Sequence, residues 1–336
     1  MKRHPLRSAA LAAAAALCAF APGSRAETPK KVVVCTVTTG FRHSCIPLAE
    51  AAIQDLASGS NGFTVAAWVR QPRTPLLKKP QPPKPPKPDA SPEALAKHAE
   101  QTKQFEEALA RWNADGMEAK AADAKKAFDA ELAAELAKLA PAALEEQQID
   151  AVIFANTTGN LPLPDLDGFI RWIENGHAFI GMHAASDTLH GYLPYLEMLQ
   201  GEFDGHGPQV PAQLLAADVE HPANGGIGAA WDLAREEMYL IKRHDRSKLR
   251  TLWFMDRHPN QKEVAGHYPV AWCRKAGQGR VFYTTLGHRE DLWSTDPGLK
   301  DRINPVEISH QFRAHLLGGI RWALGLAPGS AEPNAP

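Results

Sequence analysis

The sequence predicts a doubly wound α/β domain with a mainly parallel sheet, interrupted by a helical hairpin. Three observations predict it. Short apolar, β-branched runs alternate with stretches of helical periodicity. The order strand, helix, strand recurs along the chain, which favours parallel pairing through right-handed crossovers. One segment, residues 71–145, departs from that alternation in composition.

The first 26 residues stand apart. Lys2, Arg3 and Arg7 make a basic start, Ala9 to Phe20 is apolar and alanine-dominated, and Ser24-Arg25-Ala26 offers small residues to a peptidase. This is the layout of a secretory signal, so a periplasmic or secreted protein is expected. The apolar run is too short to span a bilayer. Cys18 follows Ala15-Ala16-Leu17, a poor fit to a lipid-attachment box.

Lys31 to Val37 (KVVVCTV) reads as the first strand, ended by Thr38-Thr39-Gly40. Ile46, Ala49, Ile53 and Leu56 then recur at helical spacing, and Thr64 to Val69 is a second strand. Gln71 to Pro92 is dense in proline and lysine, which favours extended polyproline geometry and cannot join a sheet. Residues 94–113 and 118–139 read as two helices, with Asp115-Gly116 at the turn. Their polar, alanine-rich composition suits a solvated spacer. Alternation resumes with a buried strand, Ile149 to Ala155. A helix follows over Leu166 to Glu174, then a strand over Ala178 to Met182. Strands at 251–255, 270–273 and 280–285 and a helix over 306–324 complete the domain, taken as 27–326. Residues 327–336 are expected to form a disordered tail.

Of 336 residues, 44% are hydrophobic and 22% charged, enough for one large core. Without the leader, 33 basic residues face 38 acidic ones, a net −5. That balance, with no basic block, argues against nucleic acid as a partner. Cys35, Cys45 and Cys273 make no disulfide framework, although a Cys45–Cys273 bridge would suit an oxidising compartment.

In open α/β sheets, ligands bind beyond the carboxyl ends of the strands. The segments found there include GFRHS (40–44), NTTGN (156–160), HAASD (183–187) and LGHRE (286–290). Three of these four contain a histidine: His43, His183 and His288. Neutral imidazole binds divalent metals and also transfers protons near neutral pH. His43, His183, His206 and His288 are therefore candidate metal ligands, with Asp187, Asp204 or Glu290 as carboxylate partners. A metal-free acid/base site uses the same residues, and each histidine could instead be structural. Arg42 suits a substrate oxygen or a salt bridge. Glu237 and Tyr239 could orient a ligand or form a strand edge. Trp231, Trp253, Trp272 and Trp293 could stack on a sugar or fill the core.

The stretches GFRHSCIP (40–47), GMHAASDT (181–188), GEFDGH (201–206), HPAN (221–224), EEMY (236–239) and PVAWCRKAGQGRVFYTTLGHREDLW (269–293) resemble the ThuA-like (trehalose utilisation) family. The resemblance covers about 30–70 and 146–326. It implies a flavodoxin-like fold of the class I glutamine amidotransferase-like superfamily, with 71–145 inserted as an arm. In that superfamily a nucleophilic cysteine sits on the turn after the central strand. His183 stands there in this chain, and His288-Arg289-Glu290 resembles the catalytic His-x-Glu. An imidazole cannot form the glutamyl thioester, so glutaminase activity is not expected.

The resemblance implies an exported carbohydrate-processing enzyme acting on trehalose-like or 3-keto-glycosides. Proton abstraction beside a carbonyl, of isomerase or lyase type, is the expected chemistry. The expected catalytic residues are His183, His288, Glu290 and Asp187. Arg42, Glu237, Tyr239 and Thr158 are the expected substrate contacts. A divalent metal, zinc foremost, is the expected cofactor, without a nucleotide. The partner is a small carbohydrate, with no transmembrane segment, and a homo-oligomer stays open. A non-catalytic sugar-binding module and an interaction scaffold are the alternatives.

Overall fold

The computed structural model describes residues 28–334, so the expected leader lies outside the described residues. The elements begin with β1 (Lys30–Cys35), α1 (Ile46–Leu56), β2 (Phe63–Val69), α2 (Pro92–Ala114), α3 (Met117–Ala137) and α4 (Pro141–Glu146). Next come β3 (Ala151–Ala155), α5 (Leu166–Glu174), β4 (Ala178–Met182) and α6 (Leu193–Leu199). Four strands follow: β5 (Glu202–His206), β6 (Val210–Ala216), β7 (Ala230–Glu236) and β8 (Tyr239–Lys242). The chain closes with β9 (Arg250–His258), β10 (Gln261–Ala276), β11 (Gly279–Thr284), α7 (Glu290–Trp293) and α8 (Val306–Ala323).

Nine strands form one sheet in the order β2-β1-β3-β4-β11-β10-β9-β6-β7. The first five run parallel. The other four continue the sheet as an antiparallel wing, and β5 pairs with β8 in a separate ribbon. The expected strands at 251–255 and 270–273 fall within β9 and β10, but β6, β7 and the antiparallel pairing are not among the sequence expectations. β6 (VPAQLLA) and β7 (AWDLARE) are rich in helix-forming Ala, Leu, Arg and Glu, and cross-strand pairing overrides that preference.

Strand pleating divides the core between two layers of helices. Val32, Val34, Ile153, Ile180 and Phe282 pack on one face with Ile53 of α1 and Phe312, Leu316 and Ile320 of α8. Val33, Phe154, Phe179 and Tyr283 pack on the other with Leu136, Phe169 and Leu196. Asp165 caps α5 by accepting from Gly168 N at 2.7 Å. Each parallel strand therefore enters from one side and releases its following loop at the other.

Ser91 caps α2, whose Ala94 N donates to Ser91 Oγ at 3.2 Å. Most of α2 is exposed, and Trp112 is its buried residue. α3 is more than a spacer, because Leu132 and Leu136 are buried in the second core layer.

The expected disordered tail is corrected, and two readings left open are decided. Residues 327–334 are fastened to the sheet: Thr251 N donates to Asn334 Oδ1 at 2.9 Å, and Asn334 Nδ2 donates to Thr251 O at 2.9 Å. A polar side chain there completes a strand's backbone bonding, which composition alone does not reveal. Cys45 and Cys273 are free, buried thiols facing different partners, Gly287 O at 3.2 Å and the His221 ring at 3.5 Å. Trp231, Trp253, Trp272 and Trp293 are all core residues, at most 1% exposed, so none offers a face to a sugar.

Candidate functional site

The parallel half of the sheet decides where the histidines meet. β1, β3, β4 and β11 are neighbours running the same way, so the loops after them share one rim. His43 follows β1, His183 follows β4 directly, and His288 follows β11. Their ring centroids are 4.8 Å (His43–His183), 5.2 Å (His43–His288) and 5.4 Å (His183–His288) apart.

His183 is held in an unusual backbone state. Its φ is +48°, a left-handed conformation that side-chain-bearing residues seldom adopt. Small neighbours make the turn feasible. A Cβ on Gly181 would lie 2.7 Å from Tyr283 Cδ2, so only glycine lets that ring pack beneath the turn. The Tyr283 hydroxyl sits 2.6 Å from His183 O and 2.7 Å from Ser186 Oγ. Tyr239 covers the His183 ring at 4.3 Å.

The His183 tautomer follows from its partner. Nδ1 is 2.7 Å from Thr285 O, a carbonyl that can only accept, so Nδ1 carries the proton. Nε2 is then a bare lone pair, buried without a hydrogen-bond partner, and His43 Nδ1 is buried and unpartnered as well. Glu237 closes the group. Its Oε2 is 3.7 Å from His183 Nε2 and 2.9 Å from His288 Nδ1. The shorter approach is a charge contact rather than an aligned hydrogen bond. One ligand atom from each of His43, His183, Glu237 and His288 lies within 4.8 Å of every other.

Burial drives the His43 pKa down to about 4, with the neighbouring His288 adding to the effect. Burial, then the His43 ring, pushes His183 well below the usual imidazole range. Both are therefore neutral near pH 7. His288 behaves differently: burial lowers it, but the adjoining Glu237, then Glu236 and Glu290, outweigh that and raise it. Three nitrogens and one carboxylate suit a divalent ion. Bonds of about 2.0–2.2 Å to a tetrahedral zinc set ligand atoms about 3.3 Å apart, within small side-chain shifts of this spacing.

The other expected residues lie around this centre. His206 stands beside the group: its side chain is 43% exposed and its Nδ1 lies 3.2 Å from Glu237 Oε1. β5 belongs to the separate ribbon, which leaves His206 outside the four converging side chains. Arg42 turns inward and donates to Thr36 O at 3.0 Å. Thr158 Oγ1 donates to Phe41 O at 2.7 Å. The Ser44 hydroxyl donates to Glu290 beside the cluster. Asp187 Oδ1 lies 2.6 Å from His190 Nε2, whose ring bridges to Glu202. The cleft lined by Asp167, Tyr192 and Arg274 shares no residue with the cluster.

Two groups escape the sequence reading. Glu236, fully buried, accepts from Gly287 N at 3.0 Å and His288 N at 2.7 Å, and fixes the loop that aims His288. Burial raises its pKa to about 7, against those backbone donors. The adjacent acids of EEMY were a signal, but not of which one faces inward. Thr285 acts through its carbonyl, to which sequence gives no clue.

A family model described as trehalose utilisation, ThuA, matches residues 94–323, from α2 through α8. His183, Glu237 and His288 fall within the match, and His43 precedes it. A thua-like protein of known structure from Bacteroides uniformis is similar in fold, with 16% identity and a TM-score of 0.54. The likeness covers 90% of this chain and 95% of that one. A second, from Parabacteroides merdae, has 16% identity and a TM-score of 0.52, over 88% and 90% of the two chains. No curated protein matches the sequence.

Proposed function

Because the chain belongs to the trehalose-utilisation (ThuA) family, we propose that it is an exported enzyme that abstracts a proton beside the carbonyl of an oxidised sugar, typically a 3-keto-glycoside. The observation that carries this reading is the convergence of His43, His183, Glu237 and His288 within 4.8 Å. These four would hold a divalent ion, zinc foremost. When bound, it supplies Lewis-acid polarisation of the sugar carbonyl oxygen. Export rests on the leader sequence alone.

Glu290 is the base in this reading. Ser44 orients its carboxylate, which lies close enough to influence the charge of His43 and His288. It takes the proton from the carbon next to the carbonyl, and the bonding pair moves toward the carbonyl oxygen. Return of that proton gives isomerisation or epimerisation. Alternatively the pair forms a new C=C bond as the neighbouring glycosidic C–O bond breaks, and the leaving oxygen takes the proton from Glu290. Tyr239 and Glu236 hold the ring and the loop that this geometry needs.

Incubation with 3-keto-trehalose in heavy water tests the proposal. Mass spectrometry should find deuterium in recovered sugar or product, and Glu290→Gln should reduce the rate about 10²-fold or more. Wild-type protein that exchanges nothing, with or without added zinc, manganese or magnesium, contradicts it.

A further inference from the structure

Phe41 is the most exposed of the large hydrophobic side chains among the described residues, at 67%. A lone exposed apolar residue needs no explanation by itself. Its position is what matters. The ring stands 4.9 Å from the His43 ring at an interplanar angle of 83°, so it meets a cluster member edge to face. With so much of the ring in solvent, an aromatic face stays open at the rim.

The ring is mounted on a fixed backbone. Phe41 O accepts from Thr158 Oγ1 at 2.7 Å, and Thr39 N donates to Thr158 O at 2.9 Å. Gly159 packs so closely beneath that an added Cβ would lie 2.7 Å from Gly40 N. Arg42, the next residue, turns its guanidinium back to Thr36 O and leaves Phe41 uncovered. An open aromatic face on a fixed backbone, beside a polar, charged centre, suits a ligand with one apolar C–H face and hydroxyls around its edge. A pyranose ring has that shape, and an open-chain polyol does not hold it.

We propose that Phe41 is the residue that selects cyclic substrates, by stacking against the C–H face of a pyranose ring whose polar groups reach the histidine centre. The inference rests on the sugar-directed reading above and deepens it, since it names the side chain that holds the sugar ring. It needs neither the metal nor the proton transfer in order to be tested. Aromatic faces in ligand sites supply contact area with little ordering cost, and the polar groups nearby set orientation.

The test is calorimetric titration of the intact protein with trehalose and, separately, with sorbitol, which carries hydroxyls on an open chain. Wild type should bind trehalose more tightly than sorbitol. Phe41→Ala should weaken trehalose binding about 2- to 10-fold, the loss expected for one stacking contact. Phe41→Tyr, which keeps the face, should restore it. The metal content of all three proteins should be equal. Trehalose affinity unchanged in Phe41→Ala, a wild type that does not prefer trehalose to sorbitol, or no trehalose binding at all would overturn the inference. Deuterium exchange into 3-keto-trehalose reads the catalytic proposal separately, so either can fail without the other.

Discussion

His183 shows how one residue can be legible in kind and hidden in detail. Its place after a buried strand, between Gly181 and Ala184-Ala185, marks it as a candidate from sequence. Its positive φ, its fixed tautomer and its covering by Tyr239 depend on Thr285, Tyr283 and β8, which are distant along the chain. His183→Ala should lower turnover about 10²-fold or more. It also strips a buried carbonyl of its donor, so a stability loss of about 1–3 kcal/mol is expected while unfolding stays cooperative. Circular dichroism melts beside the exchange assay check both. A variant that is unfolded, or fully active, would show the residue misassigned.

Glu236 acts at the same scale without pointing into the cluster. It gathers the backbone N–H groups of residues 287 and 288, and its carboxylate is fully buried. Glu236→Gln keeps the oxygen that the N–H groups of residues 287 and 288 share, but turns the other oxygen, which accepts from Arg289 N at 3.3 Å, into a donor facing that N–H. Metal affinity should fall about 10- to 100-fold, as for other supporting partners of metal ligands. Competitive titration against a chromogenic chelator measures it, and an unchanged affinity would mean that the loop holds itself.

Among elements, the parallel strands and their helices were readable because each keeps one period and one environment. β1, β3 and β4 are short apolar runs buried on both faces, and α5 buries one clear stripe. In the antiparallel wing only the buried parts of β9 and β10 were readable, for the opposite reason. β6 and β7 are partly exposed, and β10 begins with an exposed run, Gln261 to Gly266, without a clear period before entering the core. Glu237 belongs to this region, and so the carboxylate of the cluster appeared in sequence only as a candidate substrate contact. The β4 turn makes a test at this scale. Gly181→Ala puts a methyl 2.7 Å from Tyr283 Cδ2, in a core that cannot yield cheaply. A loss of about 1–3 kcal/mol is expected in a urea titration. A stability equal to wild type would show that Tyr283 can retreat without cost, and with it the support of the His183 turn.

At the scale of the whole molecule, buried histidines away from the cluster set the pH range of stability. Burial pushes the pKa of His221, His244 and His315 down to about 4. In the unfolded chain they return to about 6.5. Between those values the unfolded chain takes up protons that the native fold does not. Stability is therefore fully present above about pH 6.5 and lost as pH falls toward 4. The depressed His43 and His183 add to that loss, while Glu236, raised to about 7, and the raised His288 work in the opposite sense. The melting temperature of chelator-treated protein should fall steadily from pH 6.5 to 4.5, and the fall should be shallower in His315→Phe. A flat profile would mean that these rings are protonated in place. No helix among the described residues is long and apolar enough to cross a membrane.

If His43, His183, Glu237 and His288, drawn from separate parts of the chain, form one metal centre, metal stoichiometry must show it. The purified protein should bind one zinc ion per chain by elemental analysis. His43→Ala, His183→Ala, Glu237→Gln and His288→Ala should each weaken that binding about 10²-fold or more, while His206→Ala weakens it less. Wild-type protein that retains no divalent ion after zinc loading, or four variants that retain it as wild type does, would contradict the account.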